Sequence, residues 1–131
     1  MTDTDSFPEN LFNTSLMVDQ ERINMFAELS GDFNPIHVDP IVAKTSTLGG
    51  IIAHGTLALN LIWISLEKTF SVEYLKGSTL DVRLKAPAYL GDKLESGGSI
   101  NPGGPGYTVW VSNQNDMRLI EGFFAFSANI H

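Results

Sequence analysis

The sequence contains no cysteine, which excludes a disulfide framework, a thiolate-held zinc and a cysteine nucleophile. Basic residues are scarce: 8 Lys and Arg stand against 15 Asp and Glu, for a formal net charge of −7. That balance argues against a nucleic-acid partner, whose phosphates call for a basic face, and against an anionic membrane surface. Long apolar runs are also missing. The most apolar stretch, Ile51 to Leu66, is broken by His54, Asn60 and Ser65 and falls short of the ~20 residues a membrane helix requires. Met1 to Asn10 has neither the basic start nor the apolar core of a signal peptide. A soluble, cytoplasmic protein is the expectation. No His-x-x-x-His pair is present, which disfavours a metal site, although Asp32, His37 and His54 could in principle converge. Gly103 to Gly106 lies between expected strands and so is no phosphate-cradling loop.

What is present suits one folded domain. A chain of 131 residues, 43% hydrophobic, is long enough to hide roughly two-thirds of its unfolded surface. Residues 1–11 read as a loose tail and 12–131 as a single domain. Phe12 to Val18 has the character of a short strand. Asp19 reads as a helix N-cap with Arg22 where a capping box would place Glu or Gln, and Gly31 ends that helix. Ser30 to Pro40 reads as a loop, because each proline pushes the residue before it away from helix. Ile41 to Thr45 forms one short turn, with Asp39 placed to cap it.

A second helix is expected from about Gly55 to Lys68. Its apolar residues surround the axis, the pattern of a helix enclosed on all sides. Strands follow: Leu80, Val82 and Leu84 alternate with Asp81, Arg83 and Lys85, the period of a half-buried strand. Leu90 to Lys93 is a turn into a strand from Leu94. Asn101 to Gly106 connects to Tyr107–Ser112, and Leu119 to Ala128 forms a last strand, apolar on both faces and hence central or at an interface. One long buried helix wrapped by a curled antiparallel sheet is an α+β, hot-dog architecture.

The chemistry concentrates in Gly31-Asp32-Phe33-Asn34-Pro35-Ile36-His37. This segment sets a carboxylate and an imidazole in one proline-braced loop. Such a pair can divide a general base and a general acid between them, each proton transfer contributing ~10²–10⁴-fold. Ile52-Ala53-His54-Gly55 opens the buried helix, where free N–H groups and the helix dipole favour a negatively charged oxygen. Gly55 would let such an oxygen approach the backbone. Asp32 or His37 alone would read as an ordinary loop residue; together, and beside the second motif, they read as a site. Asn34 fits a turn residue as well as a polar contact. His54 fits a structural residue bonding across the loop. Asn60, a polar group on an apolar helix, must find a buried partner.

These two motifs, in this order, resemble the MaoC-like (R)-specific enoyl-CoA hydratases and dehydratases. The resemblance runs from about Phe12 to Ala128 and includes Arg83-Leu84-Lys85-Ala86-Pro87 and Gly91-Asp92-Lys93-Leu94. It implies a catalytic pair, Asp32 and His37, supported by Asn34, with the Gly55 N–H at the thioester carbonyl and His54 and Asn60 near the substrate. It also implies a homodimer, an acyl-thioester substrate, no metal and no redox cofactor. Ile51, Ile52, Thr56 and Asn60 depart from the family pattern near the acyl pocket or its rim, which bears on substrate identity more than on reaction type. Arg83, Lys85 and Lys93 are the basic residues available for a CoA phosphate. The implied reaction is hydration of a trans-2-enoyl thioester to an (R)-3-hydroxyacyl thioester. The alternatives are a dehydratase acting on carrier-protein-bound chains, a thioesterase, and a non-catalytic acyl-binding subunit.

Overall fold

The structure is a computed structural model that describes residues 7–104 and 106–127. Strand β1 (Thr14–Met17) leads into α1 (Gln20–Ser30). Asp19 caps that helix by accepting the Arg22 N–H at 2.8 Å, and the Arg22 guanidinium returns to the same carboxylate at 2.5 Å. Arg22 thus contributes an ion pair in place of the backward hydrogen bond of a capping box. Gly31, at φ 78°, ends α1 in the left-handed region that glycine tolerates best.

The loop after α1 is more ordered than its two prolines suggested. It contains a helical turn, α2 (Pro35–Val38), with Pro35 at the start, where no N–H is needed. A second short helix, α3 (Pro40–Thr45), is capped by Asp39, which accepts from the Ile41 and Val42 N–H groups.

The long helix α4 (Gly55–Thr69) is followed by a turn of helix that the sequence pattern did not signal, α5 (Val72–Leu75). The remaining chain forms β2 (Thr79–Leu84), β3 (Lys93–Ile100), β4 (Tyr107–Ser112) and β5 (Arg118–Ala125). The strands make one sheet in the order β1-β3-β4-β5-β2, with every pairing antiparallel. β5 is therefore internal, one of the two placements its apolar faces allowed, while β1 and β2 are edges. Helix α4 packs on β1, β3 and β4. It buries Ala58, Leu61, Ile62 and Leu66 against a core that includes Leu94, Val109, Val111, Ile120 and Phe124. Burying Ile62 and Leu66 stabilises the fold by about 1.5–3 kcal/mol each. The expected hot-dog architecture is the one observed.

Three expectations require correction. First, α4 is not enclosed all round: Thr56, Asn60, Ile64 and Glu67, spaced three and four apart, form an exposed stripe. The sheet of one chain covers one face of a helix and leaves the other open. Second, the buried polar group on α4 is Ser65, not Asn60, which lies on the open stripe. Ser65 Oγ bonds both Ser96 Oγ and Thr14 Oγ1, joining the helix to β1 and β3 through three hydroxyls.

Third, residues 7–11 are not loose. Leu11 is buried and donates its N–H to the Gly98 carbonyl, and Ile100 N–H donates to Glu9 O. Phe7 meets Phe70, Tyr74 and Phe126 at ring distances of 5.0–5.5 Å. Phe7 and Leu11 bring enough apolar surface into a polar stretch to hold it down. The remainder of the expected tail, residues 1–6, lies outside the described residues. The same contact buries Tyr107, whose hydroxyl donates to Pro8 O and whose pKa is pushed up to about 12 by burial. No helix among the described residues is long and apolar enough to cross a membrane.

Candidate active site

The loop between α1 and α2 is built by its own side chains. Asp32 Oδ1 accepts the Asn34 N–H at 3.1 Å, and Asn34 Oδ1 accepts the Ile36 N–H at 3.1 Å. These local turns start α2 and fix the direction of the following residue. Asn34 is therefore the N-cap of α2, which is what its side chain is seen to do.

His37 projects from α2 into the protein, where it is 7% exposed. Its Nδ1 lies 2.8 Å from the Ile52 carbonyl oxygen. A carbonyl only accepts, so Nδ1 carries a proton, and in its neutral form the ring presents a lone pair at Nε2. That Nε2 stands 3.8 Å from Asp32 Oδ2, on a carboxylate about half exposed. An unprotonated ring nitrogen and a carboxylate oxygen are both acceptors. At this separation they suit a molecule that donates a hydrogen to each.

His54 immediately precedes α4 and is 2% exposed. Its Nε2 lies 2.9 Å from the Asp32 carbonyl oxygen, and its ring stacks on His37 at 3.9 Å between centroids and 24° between planes. Its Nδ1 is buried with no hydrogen-bond partner among the described residues. One ligand atom from each of Asp32, His37 and His54 falls within 4.8 Å of the others, so the three residues do converge. Two imidazoles and a carboxylate are a donor set capable of holding a divalent cation.

Gly55 begins α4 directly after His54, whose side chain makes no cap hydrogen bond. Gly55 and His54 line a cavity of about 300 Å³ whose other walls are mostly apolar, among them Ala58, Leu84, Ala86 and Ile120. Asp32 and His37 do not line this cavity; His54 does, and its ring also stacks on His37. The space at Gly55 is tight, since a Cβ placed there would come 2.3 Å from Leu84 Cδ2.

The remaining candidates fall elsewhere. Asn60 is on the open stripe of α4. Arg83 and Lys93 lie on β2 and β3, which β4 and β5 separate, so the expected basic cluster does not form. Lys85 does line the cavity, and it pairs with Glu121 at 2.9 Å. Its hydrogen bond holds the Glu121 carboxyl below the usual range. The bond of His54 to the Asp32 backbone is the contact across the loop that the sequence suggested; its stacking on His37 was not legible, because it connects residues 17 positions apart.

Known proteins resemble this chain in sequence and in fold. The family model described as "MaoC like domain" matches residues 8–98. A 3-hydroxyacyl-thioester dehydratase Z from Mycobacterium tuberculosis is 32% identical over 87 residues, covering 63% of this chain and 58% of that protein. An (R)-specific enoyl-CoA hydratase from Aeromonas caviae is 38% identical over 72 residues, covering 53% of this chain and 52% of that one. The chain thus spans little more than half the length of these curated relatives. Among solved structures, an (R)-hydratase from A. caviae involved in PHA biosynthesis superposes with a TM-score of 0.75 at 24% identity, covering 93% of this chain and 96% of the other. The matched segment contains the whole of the Asp32–His37 loop and the start of α4, and on that ground the chain belongs to the MaoC-like domain family.

Proposed function

We propose that this chain is a hydro-lyase that reversibly hydrates trans-2-enoyl thioesters to (R)-3-hydroxyacyl thioesters. The observation that carries this reading is the 3.8 Å gap between His37 Nε2 and Asp32 Oδ2. Two acceptors at that spacing hold one water, directing an O–H at each. In the hydration direction the water oxygen bonds the β-carbon while the pair takes one of its protons. Electrons move onto the thioester oxygen, which the Gly55 N–H at the start of α4 stabilises as an enolate. The pair then returns the proton to the α-carbon on the same face, and the second water hydrogen stays on the new hydroxyl. Asp32 and His37 act as one unit in this cycle. No metal or redox group takes part; CoA or phosphopantetheine is part of the substrate.

The apolar cavity beside Gly55 accommodates part of the acyl thioester, and Lys85 at its wall offers a cation to an anionic carrier group. The working unit in this reading is a homodimer. Its support is the open stripe of α4, the unpaired edge of β2, and the exposure of Leu84 and Phe123 on β2 and β5. The test is direct. On mixing with crotonyl-CoA the protein removes the conjugated-thioester absorbance without releasing free thiol. Release of thiol makes it a thioesterase, and binding without turnover makes it an acyl-binding subunit. A faster rate on a carrier-protein-bound chain than on CoA assigns the dehydratase role in acyl assembly.

A further inference from the structure

We infer that His54 is a positioning residue that sets the geometry of both members of the Asp32–His37 pair; the inference rests on the hydratase reading above. His54 is tied to all three parts of the site at once. Through Nε2 it bonds the Asp32 main-chain oxygen at 2.9 Å. Its ring lies nearly parallel on His37 at 3.9 Å. Along the chain it is joined to Gly55, the first residue of α4. A displacement of the His54 ring therefore moves the carboxylate-bearing loop, the imidazole and the amide relative to one another. A 1 Å misplacement of reacting groups lowers a rate by about 10²-fold.

The cost of the arrangement also points to a role. Because the Asp32 oxygen only accepts, Nε2 carries a proton, which makes Nδ1 an acceptor in the neutral ring, and that atom is buried with no partner among the described residues. An unsatisfied buried polar atom costs about 1–3 kcal/mol. Phenylalanine would fill the same space without that cost, so packing alone does not account for an imidazole here. The Nε2–H bond to the Asp32 backbone is the one contact that an apolar ring would lack. His54 thus holds Asp32 through its backbone rather than its carboxylate, which leaves both carboxylate oxygens available to the loop and to substrate.

The experiment separates the bond from the stack. His54→Phe keeps a ring against His37 and removes the donor, whereas His54→Gln places an amide N–H near the Nε2 position without the stack. Wild-type protein must first turn over crotonyl-CoA; failure there refutes the hydratase reading and is recorded separately. Given an active wild type, His54→Phe lowers kcat by about 10²-fold with KM within about twofold, and His54→Gln recovers roughly tenfold of the loss. A second readout does not depend on activity. The chain has three histidines, so two-bond ¹H–¹⁵N spectra resolve their tautomers, with the proton on Nε2 of His54 and on Nδ1 of His37. A rise in KM with kcat preserved would make His54 a substrate contact and overturn the inference. So would full activity in His54→Phe, or an Nδ1–H tautomer at His54.

Discussion

Gly55→Ala offers a sharp separation of function from folding. The added methyl carbon would lie 2.3 Å from Leu84 Cδ2, more than 1 Å inside the 3.5–4.0 Å at which carbon atoms rest against each other. Gly55 does not have a positive φ, so alanine is conformationally acceptable and is the better helix former. The strain must be relieved by rotating Leu84, a flexible side chain that is 55% exposed, or by shifting the start of α4. The first route is inexpensive for stability, so the unfolding midpoint should change by less than about 1 kcal/mol equivalent. Either route disturbs the wall of the cavity beside the amide. A shift of about 1 Å there lowers kcat by about 10²-fold, comparable to losing a hydrogen-bond donor to a developing oxyanion. Hydration of crotonyl-CoA, followed by absorbance, and thermal unfolding of the same preparations check the two halves. Adding Leu84→Ala removes the colliding carbon, so the double variant should recover activity over Gly55→Ala alone. A Gly55→Ala protein with wild-type kcat would refute the placement of the thioester oxygen at this amide.

Other outcomes follow from individual contacts. Ser65→Ala removes the hydroxyl that bridges Ser96 and Thr14 in the core and should lower stability by about 1–2 kcal/mol in urea unfolding, with kcat unchanged. Tyr107 has a pKa raised to about 12 in the folded protein against an ordinary value of 10.0. Its contribution is therefore complete below pH ~10 and is lost as pH rises toward ~12; Tyr107→Phe should flatten that alkaline decline in unfolding free energy. Treatment with EDTA followed by gel filtration should leave activity intact, since the reaction proposed uses no metal. Loss of activity, with recovery on adding a divalent cation, would instead assign Asp32, His37 and His54 as ligands.

Local signals carried much of this fold. Asp19 and Gly31 bracket α1 because capping and left-handed backbone are properties of single residues and their neighbours. The alternation in β2 and the apolar faces of β5 likewise report positions within a sheet. Failures occurred where distant residues decide. Phe7 and Leu11 lie in a polar, acidic stretch and are ordered only because the aromatic cluster and β3 receive them. The composition of α4 is apolar around most of its axis, but one sheet can cover only one side. Hence Asn60 is exposed, while Ser65, less conspicuous in the sequence, carries the buried hydrogen bonds. Lys93 stood near Arg83 and Lys85 along the chain, and the strand order carried it away.

The site shows the same division. Asp32 and His37 were legible because they share one loop whose internal turns set their spacing. Gly55 is connected to them through its chain neighbour His54, whose ring stacks on His37. The tautomer of His37 depends on Ile52, 15 residues away, and the position of His54 depends on contacts with both members of the pair. No pattern of residue types encodes a ring stack between chain segments. It emerges only when α2 meets the residue that precedes α4.

The most direct test of the account measures crotonyl-CoA hydration by Asp32→Asn, His37→Gln and the double variant, each confirmed folded by its unfolding transition. Residues that jointly hold one water act as a unit, so each single change should reduce kcat by about 10²–10⁴-fold and the double variant should be no slower than the slower single one. A double variant that still hydrates crotonyl-CoA at the wild-type rate would contradict the assignment of the reacting water to this pair.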